Sequence, residues 1–181
     1  MNSTKNARVA IVTGASRGIG AAVAQRLASD GFAIVVNYAL RSTEADALVA
    51  KLAAEGAKAI AVKADVSNPD DVRRLFETTE QQLGKVDLLV NNAGVFKPMP
   101  LADTSDAVYD QTFDINVRGT FNTLREAAKR MNDGGRIVNF SSTVLALNLP
   151  GYAIYTATKA AVEAFTQIFA KELRGRHITV N

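Results

Sequence analysis

Residues 9–20 read VAIVTGASRGIG, a short apolar run that breaks into a loop with glycines at 14, 18 and 20. Val9–Thr13 has the nearly continuous hydrophobicity of a strand buried on both faces. Beyond the loop, Ile19, Val23 and Leu27 recur at helical spacing, so residues 18–29 read as a helix with one apolar face. A strand, a glycine turn and a helix in that order bring a helix N-terminus to the carboxyl end of the strand. Glycine permits the tight turn, lets backbone approach a ligand and lets the helix pack close. The free N–H groups and positive end of the helix suit a pyrophosphate. The spacing is G-x-x-x-G-x-G, which differs from the G-x-G-x-x-G dinucleotide fingerprint while sharing its physics.

The alternation continues along the chain. Strands are expected at 33–37 (AIVVN), 58–63 (KAIAVK), 87–90 (DLLV), 136–140 (RIVNF) and 177–180, with helices at 43–55, about 69–83, 105–131 and 152–174. The third helix announces its start, with Asn68 as N-cap, Pro69 at the first position and Asp70 and Asp71 in the first turn. Six strands alternating with helices imply an α/β fold of the Rossmann type, a doubly wound parallel sheet covered on both faces. No linker or low-complexity tract interrupts it, so residues 1–181 form a single domain.

Composition narrows the chemistry. The chain of 181 residues is 48% hydrophobic and carries a net charge of +3, with acids interleaved among the bases. Clustered Lys and Arg, the footprint of a nucleic-acid binder, is missing. There is no cysteine and a single histidine, His177, which leaves no thiolate chemistry, no Ser-His-Asp triad and no His-rich metal site. No apolar run reaches the ~18 residues of a membrane span. The N-terminal stretch MNSTKNARVAIVTG is too short in apolar residues for a signal peptide, and the expectation is a cytoplasmic protein.

In a doubly wound sheet, ligands sit beyond the carboxyl ends of the strands. Small and polar residues collect there: Gly14–Gly20 after strand one, Asp65-Val66 after strand three, Asn91-Asn-Ala-Gly94 after strand four and Ser141-Ser142 after strand five. Further on, YTATK at 155–159 sets Tyr155 and Lys159 on one helix face, four positions apart.

With TGASRGIG at 13–20, DV at 65–66, NNAG at 91–94, Asn116 in FDIN, the second serine of NFSS at 142 and YTATK at 155–159, the chain resembles the short-chain dehydrogenase/reductase family, including its 3-oxoacyl reductase-like members. The resemblance implies that Gly14, Ser16, Arg17, Gly18, Ile19 and Gly20 wrap the cofactor phosphates and adenosine side. It implies that Asp65 and Val66 meet adenine, and that Asn91, Ala93 and Gly94 line the middle of the cleft. Asn116, Ser142, Tyr155 and Lys159 become the catalytic set, with Tyr155 and Lys159 also touching the nicotinamide ribose.

That assignment makes chemical sense of the tyrosine–lysine pair. Hydride transfer between a nicotinamide and a carbonyl requires one proton to be given or taken, and a phenol with a pKa near ~10 is a poor base at neutral pH. Lowering it by about three units takes roughly 4 kcal/mol, which one cation about 4 Å away supplies at an effective dielectric near 20. Lys159 is that cation. Ser142 would hydrogen-bond the substrate oxygen as charge develops on it, and Asn116 would hold a water linking Lys159 to solvent.

NAD-preferring sites carry an acid at the end of strand two. Here the stretch Asn37-Tyr38-Ala-Leu-Arg41-Ser has none before Glu44, while Arg17 and Arg41 can pair with a 2′-phosphate. NADP(H) is therefore expected in preference to NAD(H), with Asn37, Tyr38 and Arg41 around the ribose. Leu145, Leu147, Leu149 and Tyr152 suggest an apolar pocket for a small-molecule carbonyl or alcohol; a 3-oxoacyl thioester and a simpler ketone, aldehyde or sugar alcohol both fit. The rival is a non-catalytic cofactor-binding or scaffold protein, whose usual mark, loss of the serine, tyrosine or lysine, does not occur. The resemblance also implies pairing into a homodimer or homotetramer through helices 105–131 and 152–174. Family members continue beyond ITVN with a substrate-covering segment, another helix and a seventh strand. The fold is therefore expected to be truncated after the sixth strand, and the 181-residue chain by itself to be aggregation-prone and nearly inactive.

Overall fold

The computed structural model describes residues 7–181. Its strands β1 (Val9–Val12), β2 (Ala33–Tyr38), β3 (Ala59–Lys63), β4 (Val86–Asn91), β5 (Arg136–Asn139) and β6 (Thr179–Val180) form one six-stranded sheet. All pairings are parallel, in the order β3-β2-β1-β4-β5-β6. The chain winds outward from β1 to β3, then crosses back to lay β4 on the other side of β1. The strand order reverses between β1 and β4, and a crevice opens at their carboxyl ends.

Side-chain alternation along the strands builds two cores. Ala10 and Val12 of β1, with Ile34, Val36, Leu88 and Val90, pack under α1 (Gly18–Ser29) and α2 (Ser42–Ala54). Ile11, Val35 and Leu89 face the other way, toward α3 (Pro69–Gln82) and the later helices, where Phe76 is fully buried. β5 is covered on one face only: Ile137 is buried while Val138, on the α1 side, is 38% exposed.

Asn68 caps α3 as expected, its Oδ1 accepting from the Asp70 and Asp71 amides at 2.9 and 3.2 Å. The helix expected over 105–131 is interrupted. α4 (Asp106–Phe113) passes through a π turn at Asp114–Arg118 into α5 (Gly119–Arg130). Such a turn inserts a residue into the helical repeat and commonly marks a functional position; Asn116 lies inside it. A short α6 (Val144–Leu147), unforeseen in the sequence, follows Ser142, and α7 (Ala153–Glu172) carries the YTATK motif. Among the described residues no helix is long and apolar enough to cross a membrane.

Candidate active site

A cleft of about 510 Å³ opens at the carboxyl ends of β1, β2, β3 and β4. The glycine loop forms its floor. Gly14 has φ +62°, and a Cβ there would stand 2.9 Å from the Ala93 backbone, so the loop and the segment after β4 touch at a spot only glycine permits. Gly18, at φ +58°, has open space where its side chain would be. α1 then starts with no side-chain cap and no acid in its first turn, leaving its N–H groups and positive end to a ligand. Ser16, Arg17 and Ile19 line this end, and Ile19 is 63% exposed. Tyr38 and Arg41 line the wall at the end of β2, Asp65 and Val66 the wall after β3, and Ala93 and Gly94 the part after β4. The cleft thus offers backbone donors, two guanidinium groups and apolar walls, a set of contacts that fits a phosphorylated dinucleotide.

Three residues expected to contact the ligand are used differently. Gly20 is buried beneath the loop, where a Cβ would meet Asn92 Nδ2 at 2.5 Å and Gly14 O at 2.7 Å; it is a packing glycine. Asn91 turns away from the cleft: its Nδ2 donates to Asn139 Oδ1 and its Oδ1 accepts from Thr123 Oγ1, both at 2.8 Å. Asn37 borders the cleft but is 1% exposed, and its amide is fully engaged. Its Oδ1 accepts from Gly14 N at 3.2 Å, and its Nδ2 donates to Val62 O and Ala64 O at 3.3 and 3.0 Å. It shapes the loop and has no group left to read a ribose.

Asn92, one of the small and polar residues collected after strand four, has no role of its own assigned from the sequence. Its Nδ2 donates to Thr13 O and Gly14 O, at 2.9 and 3.1 Å, strapping the segment after β4 onto the glycine loop. Thr13 Oγ1 answers by accepting from the Asn92 and Ala93 amides.

Beyond Gly94 lies the second half of the site. Asn116 is 1% exposed; its Oδ1 accepts from Val95 N at 2.8 Å, and its Nδ2 donates to Val95 O and Thr158 Oγ1. The Asn116 side chain thus braces the loop after β4 against α7. Thr158, between the tyrosine and the lysine, completes that brace by donating to Tyr155 O at 2.7 Å. Lys159 is 6% exposed and donates from Nζ to Phe140 O at 2.6 Å, just past the end of β5. Burial pulls its pKa below the ordinary lysine value, because the ammonium loses water. Its Nζ lies 5.7 Å from the centre of the Tyr155 ring. Tyr155 packs against Phe96 with ring centres 4.8 Å apart, and Tyr152 flanks the same phenyl ring at 4.8 Å. Ser142 Oγ accepts from Val144 N at 3.4 Å, which leaves its own hydrogen free to donate. Leu147 and Leu149 stand nearby, 58% and 40% exposed.

Known proteins share this fold. A family model described as short chain dehydrogenase matches residues 8–181. An uncharacterized oxidoreductase of Methylorubrum extorquens is 46% identical over 174 residues, spanning 96% of this chain and 70% of the relative. A 3-oxoacyl-[acyl-carrier-protein] reductase of Synechocystis is 45% identical over 177 residues, spanning 97% of this chain and 72% of that one. Among solved structures, a short chain dehydrogenase from Burkholderia cenocepacia in complex with NADP superposes with a TM-score of 0.93 at 40% identity, over 96% of this chain and 71% of its own.

Proposed function

The chain belongs to the short-chain dehydrogenase family, and on that premise we propose that it is an oxidoreductase acting between NADP(H) and a small carbonyl or alcohol substrate. What carries the reading is one juxtaposition. A glycine-floored cleft with two arginines at its mouth continues, through Ala93–Val95 and Asn116, to a buried lysine one helical turn from a tyrosine.

In this reading the amides of the glycine loop and α1 hold the pyrophosphate, while Arg17 and Arg41 favour a 2′-phosphate over a bare hydroxyl. Asp65 and Val66 border the adenine. The bound nicotinamide supplies or accepts the hydride. Tyr155 Oη gives a proton to the substrate oxygen in reduction and, as phenolate, takes it back in oxidation. The Lys159 ammonium, held by Phe140 O in a poorly solvated place, favours the phenolate. Ser142 donates its free hydrogen to the same substrate oxygen. Asn116 positions this machinery from behind. Phe96, Tyr152 and Leu149 offer an apolar approach to Tyr155, which suits a ketone or acyl compound better than a highly hydroxylated one.

The same reading extends to assembly. Between α5 and α7 runs a groove of about 390 Å³ in which Phe121 and Ile168 are 45% and 55% exposed. Self-association over this face covers both, and sedimentation at micromolar concentration tests it.

The deciding experiment is carbonyl reduction with NADPH and with NADH, for the wild type and Tyr155→Phe. The expected result, in a chain extended beyond ITVN by the segments that family members carry, is turnover with NADPH preferred, lost in the phenylalanine variant while cofactor affinity stays within about twofold, since the hydroxyl and the phosphate loop lie on separate elements. Turnover retained in a folded Tyr155→Phe protein rejects the proton assignment.

A further inference from the structure

The adenosine end of the cleft contains a charge that the cofactor reading leaves unused. Arg17, from the glycine loop, and Arg41, from the β2–α2 turn, both line the cleft and both are exposed. Arg17 has no ion-pair partner among the described residues. Arg41 has one: its Nη1 donates to Glu44 Oε1 at 2.8 Å, three residues along. The carboxylate of Glu44 is held below the ordinary glutamate pKa first by its hydrogen bond from Arg41, then by its own backbone amide, with a smaller through-space contribution from Arg17. Glu44 also has a local reason to be where it is, as the acid of the first turn of α2, where the helix dipole favours negative charge. It is therefore ionised at neutral pH and sits against one of the two guanidinium groups that line the cleft.

We propose that Glu44 is a specificity residue for the cofactor ribose, competing with a 2′-phosphate for the Arg41 guanidinium and so limiting the advantage of NADP(H) over NAD(H). This rests on the cofactor reading given above. The physical case has two parts. A 2′-phosphate that engages Arg41 must displace the Glu44 carboxylate or share the fork with it, and shared, it lies next to a like charge. A ribose with a bare 2′-hydroxyl needs neither adjustment, so its binding is indifferent to whether Arg41 is already paired. Asp65, the acid that lines the cleft, does not compete: its Oδ1 accepts from the amide and hydroxyl of Ser67 at 2.9 and 2.7 Å, and it forms no ion pair with either arginine. Glu44 is thus the single carboxylate, among the described residues, joined to the phosphate-seeking arginines.

The effect is bounded by the exposure of the pair, since Arg41 and Glu44 side chains are 49% and 44% exposed. Release of one solvent-exposed ion pair changes an affinity by about two- to fivefold. The test is calorimetric titration of NADP+ and NAD+ into the wild type, Glu44→Gln, Arg41→Gln and the double variant, at low and high salt, with melting temperatures measured alongside. Glutamine keeps the length and hydrogen-bonding capacity of the side chain and removes only the charge. The expected result is NADP+ tightened about two- to fivefold in Glu44→Gln with NAD+ unchanged. That gain should vanish in the Arg41→Gln background, because the two residues act as a unit, and should shrink with salt. An unchanged NADP+/NAD+ ratio in Glu44→Gln, in a protein that binds both dinucleotides, overturns this inference and leaves the cofactor reading standing. Weaker NADP+ binding in that variant also overturns it, since Glu44 would then be bracing Arg41 for the phosphate. A wild type that binds neither dinucleotide overturns the cofactor reading and this inference together.

Discussion

An acid at the end of the second strand is the feature that makes a Rossmann site prefer NAD, and the obvious way to install one here is Asn37→Asp. The structure predicts that this substitution damages the fold and does not switch the cofactor. Asn37 is 1% exposed and uses its amide completely. As aspartate it keeps the bond from Gly14 N, with some gain from charge. It loses both donations, to Val62 O and Ala64 O at 3.3 and 3.0 Å, and turns an oxygen toward two carbonyl oxygens. No cation among the described residues lies within hydrogen-bonding reach to compensate it. Each buried carbonyl left without a donor costs about 1–3 kcal/mol, and an uncompensated buried carboxylate brings the total to about 3–5 kcal/mol. For a chain of this size that is a fall in melting temperature of roughly 6–20 °C.

The loss should also depend on pH in a definite direction. Burial favours the neutral carboxyl, which can donate to one of the two carbonyls, so the variant's folded-state pKa lies above the unfolded value near ~3.9. The folded state then binds more protons than the unfolded state between those two values. The deficit relative to wild type is therefore smallest at low pH and grows as pH rises through the raised folded value. Thermal melts of both proteins from pH 4 to 8 measure it. An Asn37→Asp protein that melts within about 2 °C of wild type at pH 7 and binds NADH more tightly refutes the role given to the amide. Tyr38, half-buried and bordering the cleft, is the better position for an acid.

Lys159→Met should leave turnover undetectable while keeping stability at pH 7 within about 1 kcal/mol of wild type, because the relieved burial of a charge offsets the donor lost by Phe140 O. Burial lowers the folded-state pKa of Lys159, so its stability penalty is present below that value and fades as pH rises through it. Wild type should accordingly gain on the methionine variant between neutral and alkaline pH in chemical denaturation, and a gap that is flat or widens the other way counts against the burial argument. Asn68→Ala, which removes the cap of α3, should cost about 1 kcal/mol and a few degrees of melting temperature with the cofactor dissociation constant unchanged.

The architecture was legible because each of its signals is local and repeated. Apolar runs fixed β1, closed by glycine, and β4, and Asn68-Pro69-Asp70-Asp71 announced α3 with its cap, as the structure bears out. Finer placement failed where one residue of register decides. Ending the fourth strand at Val90 left Asn91 free to join the ligand loop. The strand runs on to Asn91, which pairs with Asn139, and the period of two then puts Asn91 on the face of Leu89, toward Thr123. Counting one residue further would have found this, and would have moved Asn92 into the strap. The π turn around Asn116 left no such trace. The residue it adds lies in FDINVRG, where too few apolar positions surround it to show a shift of repeat. The pairing of Arg41 with Glu44 was readable as an ordinary i, i+3 contact, but its bearing on the cofactor required knowing that α2 starts at Ser42 beside the cleft.

Three asparagines, 37, 92 and 116, hold the loops around the cleft, and each does so by binding backbone with its amide. An irregular loop leaves both N–H and C=O groups without partners, and a carboxamide is the short side chain that answers both kinds at once. Aspartate could accept at the same places but could not donate, and its charge would oppose the phosphates that the helix end and the arginines are arranged to attract. A lysine or arginine could donate but not accept. Neutral braces under a positive rim are thus what a phosphate-binding cleft requires, and the acids near it are placed accordingly. Asp65 is turned onto Ser67, and Glu44 stands on Arg41, where the proposed cofactor reading has its charge weigh between NADP(H) and NAD(H). Substituting a brace should therefore disturb stability first, whereas substituting Glu44 should change the choice of ligand with only a small loss of stability, and the two classes of variant separate in a single experiment that measures melting temperature and the NADP+/NAD+ affinity ratio together.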